Sequence, residues 1–376
     1  MTPLPSAPRI CMKCKESPAV LVIRLGDPFC RSCFREYFVH KFRAMLGKNR
    51  VIFPGEKVLL ALSGGPASSA MLRQVQEGLR RETAKKLRFI PGVIYVDEGA
   101  VCGQSAEQRE QTLAAVEAIM RATGFPFHLA HLEQAFELPS SILHRTHLIL
   151  HVARTQGYSK VMMGDSCTRV AVKLFINLAL GRGAFLAMDT GFLDTRHGDV
   201  AVVRPMREYT AKEIAFYNHF FDVPTVTTPA LRPKRREKPS IHGVVEKFLL
   251  GLQVEFPSSI STVYRTGEKL SPAPAEGSPG SELCLLCLCA LDTLTEEELA
   301  LEPTLILDEE AAGSKAALVP LLCYSCPATL SLLQGPLDTL PPYVRSEAQH
   351  RLHRAEMTQQ MEGVLLENGD KEPGKS

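Results

Sequence analysis

Two pairs of cysteines near the amino terminus constrain this chain more tightly than any other feature. Cys11 and Cys14 form one C-x2-C knuckle, and after fifteen intervening residues Cys30 and Cys33 form another. Each knuckle presents two thiolates on one tight turn, and two knuckles complete a tetrahedral shell for Zn²⁺. Disulfides are the competing reading of the same four residues. The opening MTPLPSAPRI lacks the apolar core of a secretory signal, which favours thiols kept reduced and free to bind metal.

The stretch between the knuckles, LVIRLGDPF (Leu21 to Phe29), resembles the hairpin and turn of a zinc ribbon. A second array stands towards the other end: Cys284-x2-Cys287 and Cys323-x2-Cys326, thirty-five residues apart, with Cys289 as a competing ligand. The intervening insert is acidic (Glu296 to Glu298, Asp308 to Glu310) and is expected to loop out. Zinc and a set of partly buried thiols both fit this looser spacing. Cys102 and Cys167 belong to no knuckle.

Across 376 residues, 45% are hydrophobic and 22% charged, which excludes wholesale disorder and allows two or three domains. No uninterrupted apolar run reaches the roughly 18 residues of a spanning helix. The best candidate, Ala171 to Met188, is broken by Lys173, Asn177 and Arg182. A soluble cytoplasmic protein with no membrane partner is expected. The net charge of +2 conceals an asymmetry: 6 Lys+Arg face 17 Asp+Glu from Ser271 onward, leaving 37 against 24 before it. A basic body with an acidic tail suits a polyanion such as nucleic acid. It equally suits a solvated surface with a solubilising tail, and charge alone does not choose.

Between the cysteine arrays, strands and helices alternate. Strands are expected at Lys57–Leu62, Phe89–Val96, Phe127–Leu132, Lys160–Met163 and Val200–Arg204. Helices are expected at about 67–85, 105–123, 142–156 and 167–180. Thr210 and Glu213 form a capping box that opens a further helix to about Phe221. This rhythm predicts an α/β fold with a parallel sheet of about five strands and helices on both faces. Helix resumes from His242 to Leu252, and SPAPAEGSPG (Ser271 to Gly280) reads as a linker. The expected domains are a ribbon with its linking helix (1–50), the α/β domain (51–270), a linker and second cysteine module (271–345), and a tail (346–376).

In an open α/β sheet, ligands bind beyond the carboxyl ends of the strands. Ser63-Gly64-Gly65 stands at that edge directly before a helix, with Ser68 and Ser69 behind it. Glycines let backbone N–H groups converge on an anion, and the helix terminus adds its dipole. A purely structural turn explains three such residues about as well, and no Walker G-K-[ST] follows.

LLALSGGPASSAM nevertheless resembles the PP-loop of ATP pyrophosphatases, whose pattern is S-G-G-x-D-S. Together with the flanking knuckles it resembles the tRNA-thiolation branch of that superfamily, from Cys11 to about Tyr343. Within that branch it looks like the degenerate second subunits of wobble-uridine thiolases. The resemblance implies a pathway in which ATP adenylates the uridine C2 oxygen, pyrophosphate leaves, and a cysteine-held sulfur displaces AMP. It implies 2-thiouridine at the wobble position of tRNAs for Lys, Glu and Gln. It also implies a catalytic first subunit as partner and a thiocarboxylated ubiquitin-like sulfur carrier.

The departures concentrate at the chemistry. Ala67 stands where the active pattern has Asp. Gly164-Asp165-Ser166-Cys167-Thr168-Arg169 replaces G-H-N-x-D-D, with Asp165 as a displaced substitute at best. The C-x-x-C-G sulfur motif falls near Leu138 and Ser141, and the third cysteine maps to Thr225–Thr228, so no thiol stands at either place. No iron–sulfur cluster is expected, ATP and Mg²⁺ are doubtful, no catalytic residue is assigned, and Cys167 reads as a buried structural thiol. A non-catalytic subunit is the favoured reading. The alternatives are an autonomous ATP-dependent sulfurtransferase in which Asp165 and Cys167 take over the lost roles, and a zinc-ribbon adaptor without an RNA role.

Candidate RNA contacts are the basic loop around Lys234, Arg235 and Arg236, since cations there would release counterions from a polyanion. The ribbon and its following helix (Arg31, Arg35, Lys41, Arg43, Lys48, Arg50) add a second face. His144, His147 and His151 read as scattered histidines of an amphipathic helix.

Overall fold

The computed structural model describes residues 9–23, 26–82, 86–100, 102–132, 145–181, 183, 186–226, 241–270, 283–286, 291, 318–323, 326–331, 345–354 and 357. By contact the chain divides into two units, Met1–Leu132 with Leu148–Glu276, and Glu133–His147 with Gly277–Ser376.

The first unit opens with a two-stranded antiparallel hairpin, β1 (Leu21–Ile23) and β2 (Asp27–Phe29), and helix α1 (Arg31–Asn49). The sheet that follows has six strands in the order β5-β4-β3-β6-β8-β7. They are β3 (Lys57–Leu62), β4 (Ile90–Asp97), β5 (Phe127–His131), β6 (Lys160–Met163), β7 (Leu193–Asp194) and β8 (Ala201–Val203). The five strands expected from sequence are mutually parallel, and two coincide with their expected bounds. The sixth, β7, is an antiparallel edge strand paired with β8. Two residues are too few to show an alternating pattern, which is why the sequence does not announce it.

Helices α2 (Pro66–Arg80), α3 (Ala106–Thr123), α4 (Arg145–Thr155), α5 (Cys167–Ala179), α6 (Leu186–Thr190) and α7 (Ala211–Phe220) connect the strands. Successive side chains of a strand point to opposite faces. Val58, Leu60 and Leu62 accordingly join a core with Met71 and Val75 of α2 and Val116 and Met120 of α3, while Leu59 is buried on the other face. The capping box expected from sequence forms at Thr210 with Glu213, and a second one, not expected, joins Ser105 and Gln108.

Helix α1 is tied to the body through the same core. Phe34, Phe38 and Phe42 recur every fourth residue, one helical face, and each is at most 1% exposed. Phe38 stacks on Tyr217 with ring centroids 4.0 Å apart, and the Tyr209 hydroxyl donates to the Phe38 carbonyl at 2.6 Å. Buried Glu213 accepts from Tyr37 at 2.9 Å and from Lys41 at 3.1 Å.

Beyond α7, α8 (Ile241–Glu255) and α9 (Ser259–Gly267) pack on α5. The sequence reading omitted α9. Its signal was present, since Ile260, Val263, Tyr264 and Gly267 follow the i, i+3, i+4, i+7 spacing of a buried helical face. A Cβ at Gly267 would lie 2.3 Å from Leu174 Cδ1, so glycine permits the close approach of α9 to α5. The second unit, among the described residues, holds a 3-10 turn (Val319–Leu321), α10 (Cys326–Ser331) and a helix over 345–354.

Candidate functional site

The amino-terminal knuckles converge. Cys11 begins a tight turn in which the Lys15 amide donates to the Cys11 carbonyl at 2.9 Å, with Lys15 in the left-handed region at φ 59°. The hairpin returns the chain so that Cys30 caps α1 and Cys33 lies in its first turn. The four sulfurs all lie within 4.8 Å of one another, Cys14 and Cys30 at 3.9 Å. Tetrahedral zinc with Zn–S of about 2.3 Å requires sulfurs about 3.8 Å apart, so the donors fit the ion. Burial, followed by the adjoining thiols, pushes the Cys33 pKa up to about 12. Against burial, hydrogen bonds from neighbouring groups shift Cys11, Cys14 and Cys30 the other way, downward, and the α1 amino terminus supplies a favourable dipole.

In the second unit Cys284, Cys323 and Cys326 are buried, and their sulfurs also lie within 4.8 Å of one another. The Leu285 amide donates to the Leu321 carbonyl at 2.8 Å, which joins the two cysteine segments. These three can hold a metal ion; the expected fourth ligand, Cys287, and the competing Cys289 lie outside the described residues.

Ser63, Gly64, Gly65, Ser68 and Ser69 are brought together at the carboxyl end of β3, where the strand order reverses between β3 and β6. That switch point is the ligand edge of open α/β sheets. The loop has turned inward. The Ser68 hydroxyl donates to the Gly65 carbonyl at 3.0 Å, and the Ser69 hydroxyl donates to the Gly64 carbonyl at 3.2 Å. Ser68 Oγ in turn accepts from the Ser63 amide at 3.2 Å and lies 3.0 Å from Ser63 Oγ. A serine has one proton to donate, so Ser68 and Ser69 direct theirs to the loop's own carbonyls. Gly64 adopts φ 76°, and a Cβ there would meet Val226 at 3.3 Å; the Val226 amide donates to the Gly64 carbonyl at 2.9 Å. Ala67 packs against the apolar core.

The nearby carboxylates are similarly occupied. Asp165 contacts Lys173 Nζ at 2.7 Å and Arg204 Nε at 3.4 Å. Burial opposes its ionisation, but the Lys173 and Arg204 charges override this and hold the pKa down to about 2. Arg204 continues to fully buried Asp194 at 3.3 Å, which Arg196 also pairs at 2.7 Å. Asp165 is thus a member of an ion-pair network and not a carboxylate presented to a metal. The Cys167 thiol is buried among Val170, Leu249, Ile260 and Tyr264, with the Ile260 carbonyl at 4.0 Å; burial raises its pKa to about 12. At the end of β4, Asp97 accepts from the Gly99 amide at 2.9 Å, pairs with Arg109 and lies 3.1 Å from His131 Nδ1. The sequence reading did not select this cluster.

The basic loop with Lys234, Arg235 and Arg236 lies outside the described residues, as do Leu138, Ser141, Thr227, Thr228 and His144. Arg31, Arg35, Lys41, Arg43 and Lys48 lie along α1, with Arg50 at its end. Lys41 turns inward to Glu213, and Arg35, half exposed, pairs with Glu77 at 3.1 Å.

These features define an α/β protein of the PP-loop type, carrying cysteine clusters able to hold metal and a Ser63–Ser69 loop folded on itself. Solved structures agree on the fold: the U34-tRNA thiolase NcsA from Methanococcus maripaludis, crystallised with its [4Fe-4S] cluster, superposes with a TM-score of 0.56 at 18% identity, over 69% of this chain and 87% of that one. Residues 240–328 match the family described as cytoplasmic tRNA 2-thiolation protein 2. Proteins of that name from Homo sapiens and Danio rerio are 44% and 42% identical, covering 100% and 97% of this chain and 96% of each relative. The chain belongs to the cytoplasmic tRNA 2-thiolation protein 2 family. Among the described residues no helix is long and apolar enough to cross a membrane.

Proposed function

We propose that this chain acts in cytoplasmic tRNA thiolation as a non-catalytic subunit, required for 2-thiolation of the wobble uridine in tRNAs for Lys, Glu and Gln. Its partners in this reading are tRNA, the catalytic subunit (cytoplasmic tRNA 2-thiolation protein 1) and a thiocarboxylated ubiquitin-like carrier that brings the sulfur. The observation that carries it is the inward loop. The hydroxyls of Ser63, Ser68 and Ser69 are bonded within the loop, Ala67 packs into the core, and Asp165 is neutralised by Lys173 and Arg204. Removing one preorganised electrostatic group commonly costs about 10²–10³ in rate. Losing the metal carboxylates and the sulfur-bearing thiols together leaves binding and positioning as the remaining work.

Zinc in this reading is structural. Cys11, Cys14, Cys30 and Cys33 hold one ion, and Cys284, Cys287, Cys323 and Cys326 a second. Bound zinc supplies folding energy and no reaction step. Lys234, Arg235 and Arg236 contact RNA phosphates.

The test is 2-thiouridine content in tRNA from cells carrying variants. Deleting the chain is expected to abolish the modification. Ala67→Asp, added back alone or supplied to purified chain with ATP and tRNA, is expected to create no thiolation by this subunit. ATP-dependent thiolation by the purified chain without a second subunit overturns the proposal.

A further inference from the structure

A groove of about 600 Å³ opens at the amino edge of the parallel sheet, opposite the loop. One wall is α1, which contributes His40 and Arg43. The other is formed by Arg81, directly after α2, and by Lys86 and Arg88, shortly before β4. Ile52, Leu87 and Phe89 line the groove between them, and the Phe53 ring at its rim is 62% exposed.

Three of the cations lining this groove lack an acidic partner among the described residues, while Arg35, which also lines it, is paired with Glu77 at 3.1 Å. Glu36, the one acidic residue lining it among the described residues, is held by Lys13 at 2.7 Å. Arg81, Lys86 and Arg88 form no ion pair with any described residue. Burial and the neighbouring Arg81 charge both push the Arg43 pKa down, so like charges face one another across the two walls. A fold that gathers cations without acids presents a surface for a polyanion. Spaced cations beside an exposed aromatic ring are the combination that holds single-stranded nucleic acid, phosphates on the cations and a base on the ring. The first 270 residues, which include both walls, carry 37 Lys+Arg against 24 Asp+Glu.

We infer that this groove binds an RNA backbone segment, with phosphates on Arg81, Lys86 and Arg88 and a base stacked on Phe53. The inference rests on the tRNA-thiolation reading above and adds a location to it. The amino edge is the side away from the switch point, so RNA held there is gripped and oriented and is not presented for reaction.

The experiment measures binding of an unmodified tRNA transcript to the full chain across a salt series. Replacing Arg81, Lys86 and Arg88 with Ala is expected to weaken binding about tenfold or more and flatten the salt dependence by about two to three powers, since each lost phosphate contact removes roughly one. Phe53→Ala is expected to weaken binding about tenfold with the slope unchanged, because stacking releases no counterion. All four residues are on the surface, and unchanged thermal midpoints confirm folding. If the unsubstituted chain binds and both variants match it in affinity and slope, the groove assignment fails while the tRNA reading stands. If the unsubstituted chain binds no tRNA, both fail. A triple variant that keeps tRNA but loses affinity for a polyglutamate peptide assigns the groove to an acidic protein segment and overturns the proposal.

Discussion

The amino-terminal ribbon and the Ser63–Ser69 loop are both legible as short motifs, yet the fold treats their donors in opposite ways. In the ribbon, sulfurs from two knuckles point to one locus and crowd one another to the extent that the Cys33 thiol resists ionisation. In the loop, the Ser69 and Ser68 hydroxyls reach back to the carbonyls of Gly64 and Gly65, five and three residues away. A ligand site consists of groups that the protein does not satisfy by itself. The ribbon meets that condition and the loop does not, although the loop has kept the strand, the glycines and the helix of its class.

The largest expected effect follows from that contrast. Cys30→Ser removes one sulfur but leaves a residue suited to capping α1, so any loss of structure reports the metal and not the cap. Structural zinc contributes on the order of 10 kcal/mol to small metal-bound folds. Zinc content of the purified chain is expected to fall by one ion, and amide exchange across Leu21–Phe29 to lose its protection. A ribbon that stays protected with no zinc bound would break the comparison by showing that the cysteines are packing residues.

The ion-pair network beside the loop ranks next. Asp194→Asn leaves Arg204, 5% exposed, with Asp165 as its one remaining carboxylate among the described residues, and because breaking a buried pair from one side costs about 3–5 kcal/mol, a loss towards the lower end of that range is expected. The network also fixes an acid dependence. The Asp165 pKa lies at about 2, below its ordinary 3.8, because Lys173 and Arg204 outweigh burial. A depressed folded-state pKa gives stability that is complete above the unfolded value and is lost as pH falls through the folded one. Urea midpoints are therefore expected to drop between about pH 4 and about pH 2, and Asp165→Asn to shrink that drop. An unchanged acid response in Asp165→Asn would release Asp165 from the network and reopen it as a metal carboxylate.

The elements that the sequence announces are those whose period is sampled several times. Strand β3 has five continuous apolar residues after Lys57, and α3 and α7 carry capping boxes. β7 has two residues, so its antiparallel pairing depends on Val202 and Val203 opposite it and on Asp194 being drawn inward by Arg196 and Arg204. Helix α9 is short and rich in Ser and Thr, and its three buried positions, with half-buried Val263, gain meaning only when α5 is beside them. Cysteine spacing exposes the metal clusters because covalent chain geometry alone brings two thiolates of a knuckle together. The inward turn of the loop is hidden from sequence, since Ser68 and Ser69 have the same composition whether they face a phosphate or their own carbonyls. Arg81, Lys86 and Arg88 escape notice for a related reason: their groove is assembled with α1, thirty or more residues away.

Cys167 gives the smallest and sharpest test. Its Sγ lies beneath α9, surrounded by Val170, Leu249, Ile260 and Tyr264, and burial raises its pKa to about 12. At neutral pH it is a protonated thiol, 2% exposed, and the reactive form of cysteine is the thiolate. Iodoacetamide at pH 8 is expected to leave it unmodified in the folded chain and to label it once urea unfolds α9. Cys167→Ala removes one buried apolar atom, a cost of about 1 kcal/mol by the scale of a buried methylene, so the thermal midpoint should move by a few degrees at most. Wobble 2-thiouridine in cells carrying this variant is expected to stay at its normal level. Loss of the modification, with protein abundance and partner binding unchanged, would convert the buried thiol into a working sulfur carrier and reverse the division of labour that the inward loop supports.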